Sequence, residues 1–234
     1  MAIESEVKIK EIIQRTYNVK SFRVETGEGV DFKAGQFLQV NLKARPELKR
    51  YLSISSSPSE KGYLEFTKKI TESDFSMALD TLKPGDAVNI QYPFGNFTLN
   101  ETGKNIAFIS GGIGITPIRS ICKFIVDKSL GIDIVLVYAN RTISDIAFRE
   151  DFQKMQEQCP KLKVVHVLSE ASDELMSRSG RVNSQVIKEE IPDYPQRKFY
   201  LCGPPAMVEA MEKILVEELT LPKGNIITEN FTGY

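Results

Sequence analysis

The sequence predicts two units in one chain: an antiparallel sandwich or small barrel, then an α/β unit built on a parallel sheet. Three observations carry this. Residues 1–100 alternate apolar and polar at period two between turn signals. Beyond Thr102-Gly103, apolar strands alternate with stretches of helical spacing. At 234 residues the chain has room for one large or two small domains.

In the first unit VKIKEIIQ and SFRVET alternate and end in turn residues. FLQVNL, RYLSIS, YLEFTKKI and AVNIQY follow, separated by EKG, KPGD and PFGN, and a helix is inserted from Asp74 to Leu82. In the second unit NIAFIS is an apolar strand, GGIGITP a glycine turn and RSICKFIVDKSL a helix. IDIVLVYAN is a strand, and IAFREDFQKMQEQC a helix stopped by Pro160. LKVVHVLS (strand), NSQVIKEEI (helix), RKFYLCG (strand), AMVEAMEKILVEEL (helix) and NIITENF (strand) complete it. Such alternation makes right-handed βαβ units and a parallel sheet. The boundary lies between Asn100 and Lys104, giving units 1–100 and 101–234.

Composition removes several classes of function. Lys+Arg is 30 and Asp+Glu 31, a net charge of −1, so no basic excess marks a nucleic-acid surface. Cys122, Cys159 and Cys202 are far apart in sequence, which argues against a disulfide framework, an iron–sulfur cluster or a cysteine zinc site. His166 is the one histidine and reads as a sheet residue. The amino-terminal segment carries two early glutamates and no apolar core, unlike a signal peptide. Asn105 to Val126, the least polar stretch, is broken by glycines, Pro117, Arg119 and Lys123, so no membrane span is expected. The expectation is a soluble cytoplasmic protein without a metal site.

Four stretches have chemical potential, each with a plain alternative. Gly111 to Pro117 joins a buried strand to a helix. Its glycines allow a sharp turn and a close ligand approach, Thr116 is placed to cap the helix, and Pro117 suits its first position. That arrangement suits an anion at the helix start, or is only a connector. Cys202 ends a strand on the same rim; it is a site residue or a buried small apolar one. Arg50 heads RYLSISSSP, which either holds phosphate oxygens or is an edge strand with a polar loop. Ser76 caps the inserted helix, with or without an anion beside it.

RYLS, PFGNF, GGIGITPI and YLCGPPAM with a terminal ENF, in this order, resemble the ferredoxin–NADP reductase superfamily over nearly the whole chain. The resemblance implies an antiparallel β-barrel binding flavin, followed by a parallel-sheet domain binding NAD(P)H. It assigns Arg50 to the flavin pyrophosphate and Ser53 to flavin N5. Tyr51, Leu52, Thr67, Lys68, Lys69 and Ser76 complete the cofactor contacts, the cofactor being FAD, and Phe231 covers the other flavin face. Gly111, Gly112, Gly114, Thr116, Gly203 and Met207 hold the nicotinamide nucleotide, Cys202 packs on its ring, and Glu229 stabilises charge or relays a proton. The pattern departs in three places. Leu52 stands where the family has an aromatic residue, with Tyr51 one place early; Ser73 stands for the glycine before Ser76; and Tyr234 lies beyond Phe231.

The implied activity is hydride transfer from NAD(P)H to bound FAD, then electron transfer to a separate acceptor such as ferredoxin, flavodoxin or another subunit. The alternatives are a free-flavin reductase, an electron-transfer subunit of a larger complex, and a binding module without turnover. NADPH-using relatives often read Ser-Arg where this chain has Ser169-Glu170, so NADH is the expected preference, with Arg181 as a counterweight.

Overall fold

Residues 2–27, 30–99, 104–170 and 177–231 are described by the structure, a computed structural model. The period-two segments form β1 (Ile3–Thr16), β2 (Val19–Glu25), β3 (Phe37–Leu42), β4 (Arg45–Ser53), β5 (Tyr63–Lys69) and β6 (Ala87–Phe94). α1 (Asp74–Asp80) lies between the last two. The strands pair antiparallel in the order β4-β3-β6-β1-β2-β5. Just past β4, Ile54 bridges Phe66 and Ser55 N donates to Glu65 O at 2.7 Å. This joins the two edges of the sheet and curls it into a barrel. Phe22, Leu38, Val40, Phe66, Phe75 and Ile90 fill its interior.

The second unit contains β7 (Asn105–Gly111), α2 (Ile115–Asp127), β8 (Asp133–Asn140), α3 (Arg149–Gln158) and β9 (Leu162–Leu168). β10 (Arg178–Ser179), α4 (Ser184–Glu190), β11 (Lys198–Gly203), α5 (Pro205–Lys213) and β12 (Ile226–Asn230) follow. All its strands are parallel, in the order β10-β9-β8-β7-β11-β12. α2 and α3 cover one face through Ile118, Ile121 and Phe152; α4 and α5 cover the other through Ile187 and Val208. Burial on both faces is why these strands read as continuous apolar runs. The order reverses between β7 and β11, and in an open α/β sheet that switch point opens a ligand crevice at the carboxyl ends of the strands.

The helix expected from Ile146 begins instead at Arg149. Asp145 accepts from Thr142 N at 3.0 Å and from Thr142 Oγ1 at 2.7 Å, closing a 3₁₀ turn over Ile143–Asp145. Phe148, at φ 60°, then breaks any continuation into α3. Ile146, Ala147 and Phe148 are apolar because they pack into the core. β4 starts at Arg45, earlier than expected, because its first half is exposed and shows no alternation. The expected boundary at residues 100 and 101 lies outside the described residues. No helix among the described residues is long and apolar enough to cross a membrane.

The barrel seats against α2 and β11. Phe97 meets Tyr200 edge-on at 5.4 Å, and Tyr200 Oη donates to Thr98 O at 3.2 Å. Gly35 makes the close fit possible. At φ +96° it adopts a conformation costly for other residues, and a Cβ there would lie 2.0 Å from Phe97 O and 2.9 Å from Ile121 Cδ1. Gly35→Ala is expected to destabilise the protein by about 1–3 kcal/mol, read as a lower denaturant midpoint at unchanged slope. An unchanged midpoint would mean that the seam yields freely at this point.

Candidate functional site

On the barrel side, strand alternation sorts the expected contacts onto two faces. Register pairs Arg50 with Val40 and Leu52 with Leu38, so Arg50 and Leu52 share one face, with Tyr51 and Ser53 on the other. Arg50 lies over the Phe75 ring at 5.7 Å, and Leu52 packs against the barrel core. Lys68 is buried in the same region; its ammonium is shifted down by burial and then by the charges of Arg50 and Lys69. Two cations held together beside the first turn of α1 form a cradle that suits an anion. Tyr51 is exposed and packs edge-on against Phe37 and Phe94 at 5.6 and 5.8 Å, away from Leu52.

Thr67 and Lys69 face away from Arg50. Thr67 Oγ1 bonds Ser21 Oγ at 2.7 Å and Ser55 Oγ at 2.8 Å, so its hydroxyl is committed to the barrel wall. Lys69 interacts with Asp145 of the second unit. The cap of α1 is Ser73, not Ser76: Ser73 Oγ accepts from Ser76 N at 3.4 Å. Ser76 occupies the first turn, fully buried, with its hydroxyl bonded to Thr71 at 3.1 Å. The serine three residues earlier competes for the cap and wins because its backbone is extended there.

On the parallel-sheet side, Gly112 adopts φ +53° and opens a 3₁₀ turn, Gly112–Gly114, that leads into α2 at Ile115. Nothing lies within 4 Å of a Cβ at Gly112, whereas one at Gly114 would lie 2.3 Å from Cys202 O. Gly114 therefore lets α2 press against β11, and Gly112 leaves the crevice side open. A Cβ at Gly111 would meet Met207 Sδ at 2.4 Å, and one at Gly203 would meet Met207 Cε at 2.8 Å, so Met207 packs over both glycines. Thr116 does not cap α2. Its hydroxyl donates to Ile113 O at 3.1 Å, because the 3₁₀ turn starts the helix earlier than the capping pattern suggests.

Cys202 is fully buried and lies between Ser110 on β7 and Glu229 on β12 in the sheet register. Burial, and then the charge of Glu229, push its thiol far above the usual range, so it stays protonated and is no nucleophile. Burial also pushes the Glu229 carboxyl up to about 7. Phe231 N donates to Gly203 O at 3.1 Å, holding Phe231 beside this rim and against the α2-side core. Past β9, Ser169 N donates to Asn140 O at 3.1 Å, and the exposed Glu170 receives Arg141 Nε at 2.6 Å. Arg181 follows Gly180, which bonds Leu168 O at 2.8 Å, and is exposed near the same strand end. Tyr234 lies outside the described residues.

Ser53 Oγ, Ser110 Oγ and Glu229 Oε2 are buried polar atoms with no hydrogen-bond partner, as are side-chain atoms of Asn41, Asn140 and His166. Buried polar groups are nearly always bonded, and of these Ser53 and Glu229 lie on the surfaces that the resemblance gives to flavin and nicotinamide, while Ser110 is fully buried beside Cys202 in the sheet. Together with the Arg50–Lys68 cradle and the open side of Gly112, Ser53 and Glu229 fit a flavin nucleotide on the barrel and a nicotinamide nucleotide on the sheet. Among the described residues no cluster of three metal-ligating side chains occurs.

Arg119, legible in the sequence only as an interruption of an apolar run, is buried on α2. A charge on the buried face of a helix is a signal in itself, since it demands partners.

Comparison with known proteins follows the same division. A family model described as an oxidoreductase FAD-binding domain matches residues 4–99, and one described as an oxidoreductase NAD-binding domain matches residues 108–213. The chain is 27% identical over 219 residues to the glycine betaine monooxygenase reductase subunit of Chromohalobacter salexigens, covering 89% of this chain and 59% of that protein. It is 30% identical over 203 residues to NADH-cytochrome b5 reductase 1 of Mortierella alpina, covering 83% of this chain and 67% of that protein. The ferredoxin reductase in carbazole 1,9a-dioxygenase superposes with a TM-score of 0.86 at 25% identity, covering 99% of this chain and 70% of that one.

Glu229 gives the crevice a pH signature. Its carboxyl binds a proton more tightly folded than unfolded, so its contribution favours the fold at low pH. That contribution is lost as pH rises from the usual 4.5 through about 7. Glu229→Gln is expected to flatten this dependence: wild type loses stability relative to the variant between about pH 5 and pH 8. Denaturant midpoints at the two pH values check it; parallel changes in both proteins would remove Glu229 as the cause.

Proposed function

The chain belongs to the ferredoxin–NADP reductase superfamily, and on that premise we propose that it is a reductase passing electrons from NADH or NADPH, through bound FAD, to a separate redox protein. The observation that carries this is an unpartnered buried atom on each half of the site, Ser53 Oγ on the barrel and Glu229 Oε2 on the sheet. FAD, when bound, supplies two-electron exchange with the nicotinamide and release of electrons singly or in pairs.

Each residue then has a definite task. Arg50 and Lys68 neutralise the cofactor's pyrophosphate, with Ser76 and the backbone at Thr67 and Lys69 beside it. Leu52 contributes dispersion, Ser53 donates its free hydroxyl to the flavin ring, and Phe231 covers the second ring face. Gly112 admits the nicotinamide nucleotide, Gly111 and Gly114 let the chain pack closely around that opening, and Thr116, Gly203 and Met207 shape the same pocket. The Cys202 thiol packs against the ring without covalent chemistry. Glu229, pushed up to about 7, holds or releases a proton near neutral pH beside it.

The proposed acceptor rests on what relatives are called. The glycine betaine relative is named as a monooxygenase reductase subunit, which supports an acceptor carried on a separate protein or subunit, of the ferredoxin or flavodoxin kind.

Two substitutions probe the cofactor sites. Charge-assisted bonds contribute about 1.5–3 kcal/mol each, so Arg50→Ala is expected to weaken FAD binding by roughly 10- to 150-fold with the fold intact. Flavin content after gel filtration reads it; full occupancy would sink the assignment and bring back flavin as a diffusing substrate. For the nucleotide, we propose that Glu170 favours NADH by accepting from the ribose hydroxyls while holding Arg141 aside. Both side chains are exposed, so the ion pair itself contributes little. Glu170→Arg frees Arg141 and adds a second cation. The kcat/KM ratio of NADPH to NADH is expected to rise about tenfold or more. A wild-type preference for NADPH, or an unmoved ratio, would contradict this role.

A further inference from the structure

Six charged side chains alternate across the seam between the two units. On the barrel, Arg23 of β2 and Arg15 of β1 reach Glu65 of β5 at 2.9 and 3.1 Å. Arg15 also reaches Asp151 of α3 at 3.4 Å. Asp151 accepts from Arg119 of α2 at 3.1 and 2.9 Å, and Arg119 pairs with Glu60 in the segment after β4. Phe148 lies under both cations, 4.5 Å from Arg15 and 5.8 Å from Arg119. The side chains of Glu65 and Arg119 are 1% and 5% exposed.

Stability alone does not account for such a ladder, since apolar residues of similar volume usually serve as well as buried ion pairs. What a guanidinium adds is a rigid fork of donors that fixes direction. Arg119 uses it on backbone as well as on carboxylates. It donates to Ser55 O at 3.1 Å, and its neighbour Ser120 donates to Ser56 O at 2.6 Å. Ser55 and Ser56 follow Ile54, the residue next to Ser53 at the end of β4. Arg119 and Ser120 lie about one turn into the helix that the Gly112–Gly114 turn begins. One side-chain pair therefore ties the backbone beside Ser53 to the helix beside the glycine turn.

We infer that Arg119 is a positioning residue, which sets the separation between the flavin half and the nicotinamide half of the site. The inference rests on the reading of the chain as an NAD(P)H-dependent flavin reductase. Reacting atoms must approach to about 3–3.5 Å, and a misplacement of about 1 Å can cost on the order of 100-fold in rate. Loss of the clamp therefore slows the step at saturation, while each half still binds its own nucleotide.

The test compares wild type with Arg119→Leu, Arg119→Lys and Ser120→Ala, all carrying flavin, by anaerobic stopped flow with NADH and NADPH. The limiting rate of flavin reduction is expected to fall about tenfold or more in Arg119→Leu, with nucleotide Kd within about threefold and flavin content unchanged. Arg119→Lys should regain part of the rate, and Ser120→Ala should lose roughly two- to fivefold. Calorimetry supplies a readout apart from activity: one unfolding transition in wild type, and two in Arg119→Leu as the units uncouple. A limiting rate in Arg119→Leu equal to wild type, or a loss confined to Kd or flavin content, overturns the inference. Should Arg119→Leu not fold, undiminished limiting rates in both Arg119→Lys and Ser120→Ala overturn it. A wild type that neither nucleotide reduces sinks the functional reading instead.

Discussion

The buried guanidinium of Arg119 is the constraint around which the rest of the molecule is arranged. A charge that is 5% exposed needs acids and carbonyls on every side, and these come from both units. Glu60 and Ser55 come from the barrel, Asp151 from the parallel-sheet unit. The site is split in the same way. Ser53 and the Arg50–Lys68 cradle belong to the barrel; Gly112, Cys202 and Glu229 belong to the sheet. On the proposed reading the reaction needs both halves, so the seam is part of the site.

Burial does the electrostatic tuning. Cys202 and Glu229 sit in neighbouring register positions with few polar contacts, and desolvation raises both. A thiol kept protonated packs as a small apolar group. A carboxyl that titrates near neutrality can exchange a proton where an ordinary surface glutamate stays ionised. The glycines serve different ends. Gly114 lets α2 approach the Cys202 carbonyl, and Gly112, in a left-handed conformation, leaves the crevice side clear.

Much of the fold was legible in local pattern. Period-two alternation marked most barrel strands, apolar runs alternating with helices marked the parallel sheet, and the glycines after NIAFIS marked the turn from β7 towards α2, whereas the switch point beside it came only from the strand order. Where local pattern misled, a neighbour decided. Thr116 has the composition of a cap, but a 3₁₀ turn starts the helix before it. Ser76 lost the cap of α1 to Ser73. Thr67 sits on the expected strand, yet its hydroxyl is taken by Ser21 and Ser55. Arg119 escaped notice because its partners Glu60 and Asp151 are distant in sequence, so only the folded chain brings them together. Tyr51 and Leu52 were legible as opposite faces of one strand, because alternation alone decides that.

On the proposed reading, two halves held at one seam make a path from nicotinamide to flavin. Anaerobic mixing of the purified wild-type protein with NADH, no partner present, probes that path. The protein is expected to be yellow as isolated, and its flavin absorbance to bleach in a single turnover. A yellow protein that neither NADH nor NADPH bleaches, or a colourless one that takes up no FAD, would contradict it.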